Sequence, residues 1–119
     1  MTSIPWYNER IREDLHREIT WTIINKVNDP RIPSVFTITE IKLAPDTRNA
    51  TVFINIFGTE EQKHKASIAL NGAASYVQRC IAGRIKMKHM PKLFFKIDSS
   101  LDRSEKINTI LEHVKDDLV

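Results

Sequence analysis

Cysteine is almost missing from this chain. Cys80 stands alone among 119 residues, so no disulfide can form within the chain. No apolar run approaches the ~20 residues needed to span a bilayer. Residues 1–8 lack the basic start and apolar stretch of a secretory leader. The expected location is therefore the cytoplasm, where the sequon Asn49-Ala50-Thr51 has no meaning. Glycine-rich phosphate loops of the Walker or dinucleotide type are also missing. The four histidines, His16, His64, His89 and His113, are scattered. His113 with Asp116 and Asp117 comes nearest to a metal cluster, but a histidine at a helix C-terminus complements the helix dipole. Clustered Cys/His ligands are absent. Cys80 shares an apolar stripe with Val77 and Ile81, the place of a small buried hydrophobe rather than of a nucleophile. These absences predict a protein that is not an enzyme and uses no cofactor or metal.

The most informative absence is that of acid. Between Gln62 and Ile97 there are eight Lys/Arg and no Asp or Glu, whereas the other 83 residues carry 10 Lys/Arg and 15 Asp/Glu. The window is thus +8 and the remainder −5, within a net charge of +3. A segregated basic segment is an electrostatic footprint for a polyanion, although each charge alone fits a solvated face.

Local patterns give the elements. Pro5 suits the first turn of a helix. Ile11, Leu15, Ile19, Ile23 and Val27 then recur every four residues as one apolar stripe. Glu9, Glu13, Asp14 and Glu18 interleave with Arg10, Arg12 and Arg17 on the solvated side. Asn28-Asp29-Pro30 ends that helix, because Pro30 disfavours the α region at Asp29. Val35 to Leu43 and Thr51 to Phe57 read as strands joined by Pro45-Asp46-Thr47-Arg48-Asn49, an antiparallel hairpin. Thr59 is a candidate N-cap, with Glu60 and Glu61 in the first turn of the next helix. That helix breaks at Gly72-Ala73-Ala74-Ser75, a Gly/Ser kink, giving two consecutive helices with Gly83 after the second. Leu93 to Asp98 is the third strand. Asp102 with Glu105 opens a last helix striped by Ile107, Ile110, Leu111, Val114 and Leu118. The fold class is α+β: one domain over residues 1–119, a three-stranded sheet with helices packed on one face, in the order α-β-β-α-α-β plus a C-terminal helix.

That order resembles the type II KH domain. More specifically, the chain is similar to the bacterial ribosome-binding factor A family. The resemblance rests on Asp29-Pro30-Arg31-Ile32 and on Thr37 through Leu43 with Pro45-Asp46 and Ala50-Thr51-Val52. It rests further on Leu70-Asn71 through Arg79, and on Pro91-x-Leu93-x-Phe95-x-x-Asp98-x-Ser100. It covers about Arg10 to Leu111. The resemblance implies a monomeric, non-enzymatic ribosome maturation factor. Such a factor binds the small ribosomal subunit, through its rRNA and adjacent ribosomal proteins. It would assist late processing and folding of that rRNA, with a part in cold adaptation. KH domains clamp RNA with a Gly-x-x-Gly loop. The family carries an Ala-x-Gly kink instead, and here Ser75 takes the glycine's place. A serine hydroxyl bonded back to a helix carbonyl would preserve the bend.

Candidate RNA-binding residues are Arg79, Arg84, Lys86, Lys88, His89 and Lys92, with Lys63, Lys65 and Arg31 at the periphery. Arg gives bidentate phosphate contact and Lys a movable point charge. Arg79 and Lys86 share a helical face if the second helix runs that far; Lys86 and Lys88 share a face if the segment is extended. Arg31 is also placed to bridge to Asp29. Tyr76 fits a core or half-buried place on the helix better than a stacking role. Trp6 and Tyr7 fit packing of the first helix, and Phe94 falls outside its strand's apolar pattern, either under a helix or as part of a contact surface. Two other readings stay open. One is a general single-stranded-RNA binder outside the ribosome. The other is a protein-interaction module whose basic face meets an acidic partner.

Overall fold

The computed structural model describes residues 5–87 and 89–98. The expected C-terminal helix, the His113 group and Lys88 lie outside the described residues.

Helix α1 (Pro5–Asn25) buries the predicted stripe: Ile11, Leu15, Ile19 and Ile23 lie in the core, with Val27 packed at its margin. Its outer side is tied by Arg12–Glu9 at 3.2 Å and Arg17–Asp14 at 2.8 Å, both i,i+3 pairs. Asp29 ends the turn after α1 by accepting the backbone N–H of Arg31 at 2.9 Å.

Strands β1 (Phe36–Leu43) and β2 (Asn49–Ile56) form the antiparallel hairpin, from Phe36 opposite Ile56 to Leu43 opposite Ala50. The turn is closed by Ala44 N–H to Asn49 O at 2.9 Å, and Thr47 takes the left-handed region (φ 58°). The register shifts between Ile38 and Glu40. Without that bulge, strict alternation from Ile38 would bury Glu40 and expose Ile41. With it, both isoleucines reach the core. The strand expected over Val35 to Leu43 is present as Phe36–Leu43, and the bulge is an added feature of it.

Helix α2 (Glu60–Gly72) begins with a complete capping box. Gln62 N–H donates to Thr59 Oγ1 at 3.1 Å, and Thr59 N–H donates to Gln62 Oε1 at 2.8 Å. The chain breaks at Ala73 and resumes as α3 (Ala74–Ile81). The kink therefore falls where the sequence places it. Its cause is backbone geometry at Ala73 (φ −94°, ψ 0°), whose N–H reaches both Ala69 O at 3.0 Å and Leu70 O at 3.1 Å. No left-handed residue is required. Ser75 lies inside α3, so its substitution for glycine leaves the bend in place. Helix α3 stops at Ile81, and Gly83 (φ +87°) turns the chain away. Lys86 is thus not on the helical face of Arg79; it sits in the loop that leads to β3 (Lys92–Ile97).

Strand β3 pairs parallel with β2, from Asn49 beside Lys92 to Ile54 beside Ile97, giving the sheet order β1-β2-β3. Ile38, Ile41, Val52, Ile54, Leu93 and Phe95 point into a core closed by all three described helices. On the opposite sheet face Thr37, Lys42, Phe94 and Lys96 are exposed, while Asn55 is buried.

Candidate nucleic-acid interface

Backbone pairing builds the basic surface. Lys92 starts β3, and its N–H donates to Arg48 O at 2.9 Å. Arg48, remote in sequence from the acid-free window, is thereby set beside it, and its side chain is exposed. The helix pair is docked on the outer edge of β3 by Asn71. Its amide donates to Phe95 O at 2.9 Å and accepts from Phe95 N–H at 2.9 Å. The same amide group also donates to Ser67 O at 3.0 Å. Asn71 thus acts as one residue of a missing strand and closes that part of the edge. Gln78 on α3 donates to Met90 O at 3.1 Å, which fixes the loop ahead of β3.

The structure divides the candidate residues by their partners. Arg79, Lys86, His89 and Lys92 are exposed, and among the described residues none of them meets a carboxylate. Arg79 stands 6.0 Å from the Tyr76 ring centre. Arg84, Lys63, Lys65 and Arg31 are each held by an acid. Arg84 Nε donates to Glu18 Oε1 at 2.6 Å. Lys63 lies 3.8 Å from Glu60, with a side chain only 12% exposed, and Lys65 lies 3.7 Å from Glu61. Arg31 pairs with Asp29 through Nη2 at 2.7 Å and Nε at 3.0 Å. These bonds hold the Asp29 carboxyl pKa down to about 2 and raise that of Arg31 further. Exposed pairs of this kind are weak, but they lower the charge that a phosphate would meet.

Tyr76 is 41% exposed, outside the core and at the half-buried margin, because α3 turns that flank outward. A hydrogen bond with Cys80 raises the pKa of its hydroxyl, and Cys80 itself is half-buried. Phe94 is 49% exposed on the sheet face away from the core; of its two placements this is the surface one, and no described helix covers it. Nothing in the charge pattern singles out Trp21. It is 43% exposed on α1, with Arg84 at 5.2 Å and Lys26 at 5.8 Å from its ring centre.

A groove of about 750 Å³ lies elsewhere. It runs between α1 and β1 and is lined by Glu9, Glu13 and Glu40 as well as Arg12 and Lys42. Its carboxylates make it a poor seat for a polyanion. Among the described residues, no three His, Cys, Asp or Glu side chains gather as a metal site. Nor is any described helix long and apolar enough to cross a membrane.

Residues 7–111 match the family model described as Ribosome-binding factor A. The chain is 35% identical over 114 residues to the Ribosome-binding factor A of Caldanaerobacter subterraneus subsp. tengcongensis, covering 96% of this chain and 93% of that protein. It is 36% identical over 113 residues to that of Thermomicrobium roseum, covering 94% and 87%. The crystal structure of ribosome-binding factor A from Thermus thermophilus superimposes with a TM-score of 0.65 at 26% identity, over 75% of this chain and 93% of that one. A homology model of the Thermus thermophilus ribosome-binding factor A, as fitted into the cryo-EM map of a complex of 30S with ribosome-binding factor A, matches with a TM-score of 0.60 at 26% identity, covering 74% and 91%.

Proposed function

The chain belongs to the ribosome-binding factor A family, and from that premise we propose that it binds the small ribosomal subunit through its RNA. In this reading it is a maturation factor that assists late processing and folding of small-subunit rRNA, including during growth in the cold. It acts by binding and not by catalysis, as a cytoplasmic monomer that also touches adjacent ribosomal proteins. The observation that carries the reading is the exposed set Arg79, Lys86, His89 and Lys92, which lacks carboxylate partners among the described residues. Such charges supply affinity by releasing counterions from the phosphate backbone, without reading sequence. Lys88 belongs to the same stretch of sequence, and Arg48 extends the surface across the sheet. Lys63, Lys65 and Arg31 contribute less, since each already has an acid beside it. The fit of the Thermus relative's homology model into the map of a complex of 30S with ribosome-binding factor A supports the choice of partner. The break at Ala73 has no Gly-x-x-Gly clamp, which weighs against general capture of single-stranded RNA outside the ribosome.

Sedimentation through a sucrose gradient tests the proposal. At low salt the protein should travel with small subunits and associate only weakly with completed ribosomes. The combined variant Arg79→Glu, Lys86→Glu, Lys92→Glu should stay at the top of the gradient while melting as the wild type does. Co-migration of that variant with small subunits would refute the proposal.

A further inference from the structure

Trp21 lies off the buried stripe of α1 that Leu15 and Ile19 define, and 43% of its surface is open. Burial therefore does not explain it. Its surroundings are specific. The Arg84 guanidinium lies over the indole, 5.2 Å from the ring centre. Glu18, one turn earlier on α1, takes the edge of the same guanidinium, Oε1 to Nε, at 2.6 Å. The Glu18 side chain is only 12% exposed, while Arg84 remains 53% exposed. Lys26 approaches the indole at 5.8 Å.

This arrangement alters what Arg84 can do. Glu18 offsets its charge, so Arg84 is a poor point anchor for phosphate. In exchange, its guanidinium is held at one edge by a carboxylate and lies over an aromatic ring. The side-chain entropy of ordering it has already been spent in folding. Unpaired RNA bases stack on aromatic rings and on arginine planes of this kind. We propose that Glu18, Trp21 and Arg84 form a prearranged stacking platform for one unpaired base of small-subunit RNA, with Lys26 beside it for the neighbouring phosphate. Trp21 and Arg84 make the contact; Glu18 is a positioning residue. The proposal rests on the RNA-binding reading above and adds α1 to its surface.

The test uses full-length protein carrying Trp6→Phe, so that Trp21 is the remaining tryptophan of two. Small ribosomal subunits are titrated in at low salt. Binding should quench the indole emission, and ultraviolet cross-links from Trp21 should map to RNA. Trp21→Leu should bind about tenfold more weakly with an unchanged salt slope, in keeping with the usual worth of one stacked base. Trp21→Phe should recover most of that loss. If Trp21→Leu impairs folding, Glu18→Gln decides the matter. Freeing a phosphate anchor would tighten binding and steepen its salt dependence, whereas loosening a stacking plane should weaken binding several-fold with the slope unchanged. Tighter binding by Glu18→Gln, emission that stays constant as subunits bind, or cross-links that map to ribosomal protein would each overturn the platform. Failure of the parent protein to bind subunits at all would instead remove the functional reading beneath it.

Discussion

Asp29 and Asn71 each stabilise the fold through backbone groups that side chains must satisfy. The Asp29 pKa is held near 2 first by its side-chain bonds with Arg31 and then by the Arg31 N–H. Its ordinary value is 3.8, so the turn is fully supported above about pH 4 and loses that support as pH falls towards 2. Carbon-13 titration of the Asp29 carboxyl should give a midpoint near 2, returning towards 3.8 in Arg31→Ala. Asn71 satisfies both backbone groups of Phe95 on the sheet edge. Asn71→Ala should cost about 1–3 kcal/mol, the penalty for stranding partly buried polar groups. Urea denaturation measures this; a midpoint equal to that of the wild type would show that water replaces the amide. The Asp29–Arg31 pair can be read from adjacent residues. The Asn71–Phe95 pair joins positions 24 apart, and only the docking of α2 against β3 reveals it.

Elements divide along the same line. The four-residue repeat of α1 is a local signal, and the structure buries every isoleucine and leucine it marks within the helix. Leu15→Ala should therefore cost about 2–5 kcal/mol, while Ile24→Ala, at a 60% exposed position, should change stability by less than about 0.5 kcal/mol. Thermal melts of the two variants separate these outcomes. The hairpin, the Thr59 cap and the break near Ala73 are equally local and legible in the sequence. The β1 bulge is less so: its trace is that Ile38 and Ile41 are three apart, an odd spacing that one continuous strand face cannot hold. The end of α3 at Ile81 is ambiguous in sequence because apolar residues continue through Ile85, and Gly83 with its positive φ decides it.

For the whole molecule, what matters is where charge ends up after folding. The linear pattern finds the acid-free segment, yet it misses Arg48, which parallel pairing sets beside Lys92, and Trp21, which α1 brings to Arg84. It also misses the Glu18 partner of Arg84, which only the fold brings within reach, whereas the acids beside Lys63, Lys65 and Arg31 are near neighbours in the sequence. The central claim is that Arg79, Lys86 and Lys92 meet RNA phosphates. The most direct test is the salt dependence of binding to small ribosomal subunits. The slope of log K against log salt should be steeply negative for the wild type and should flatten by roughly one unit with each of Arg79→Ala, Lys86→Ala and Lys92→Ala. Binding nearly independent of salt, or slopes unchanged in all three variants, would contradict the account.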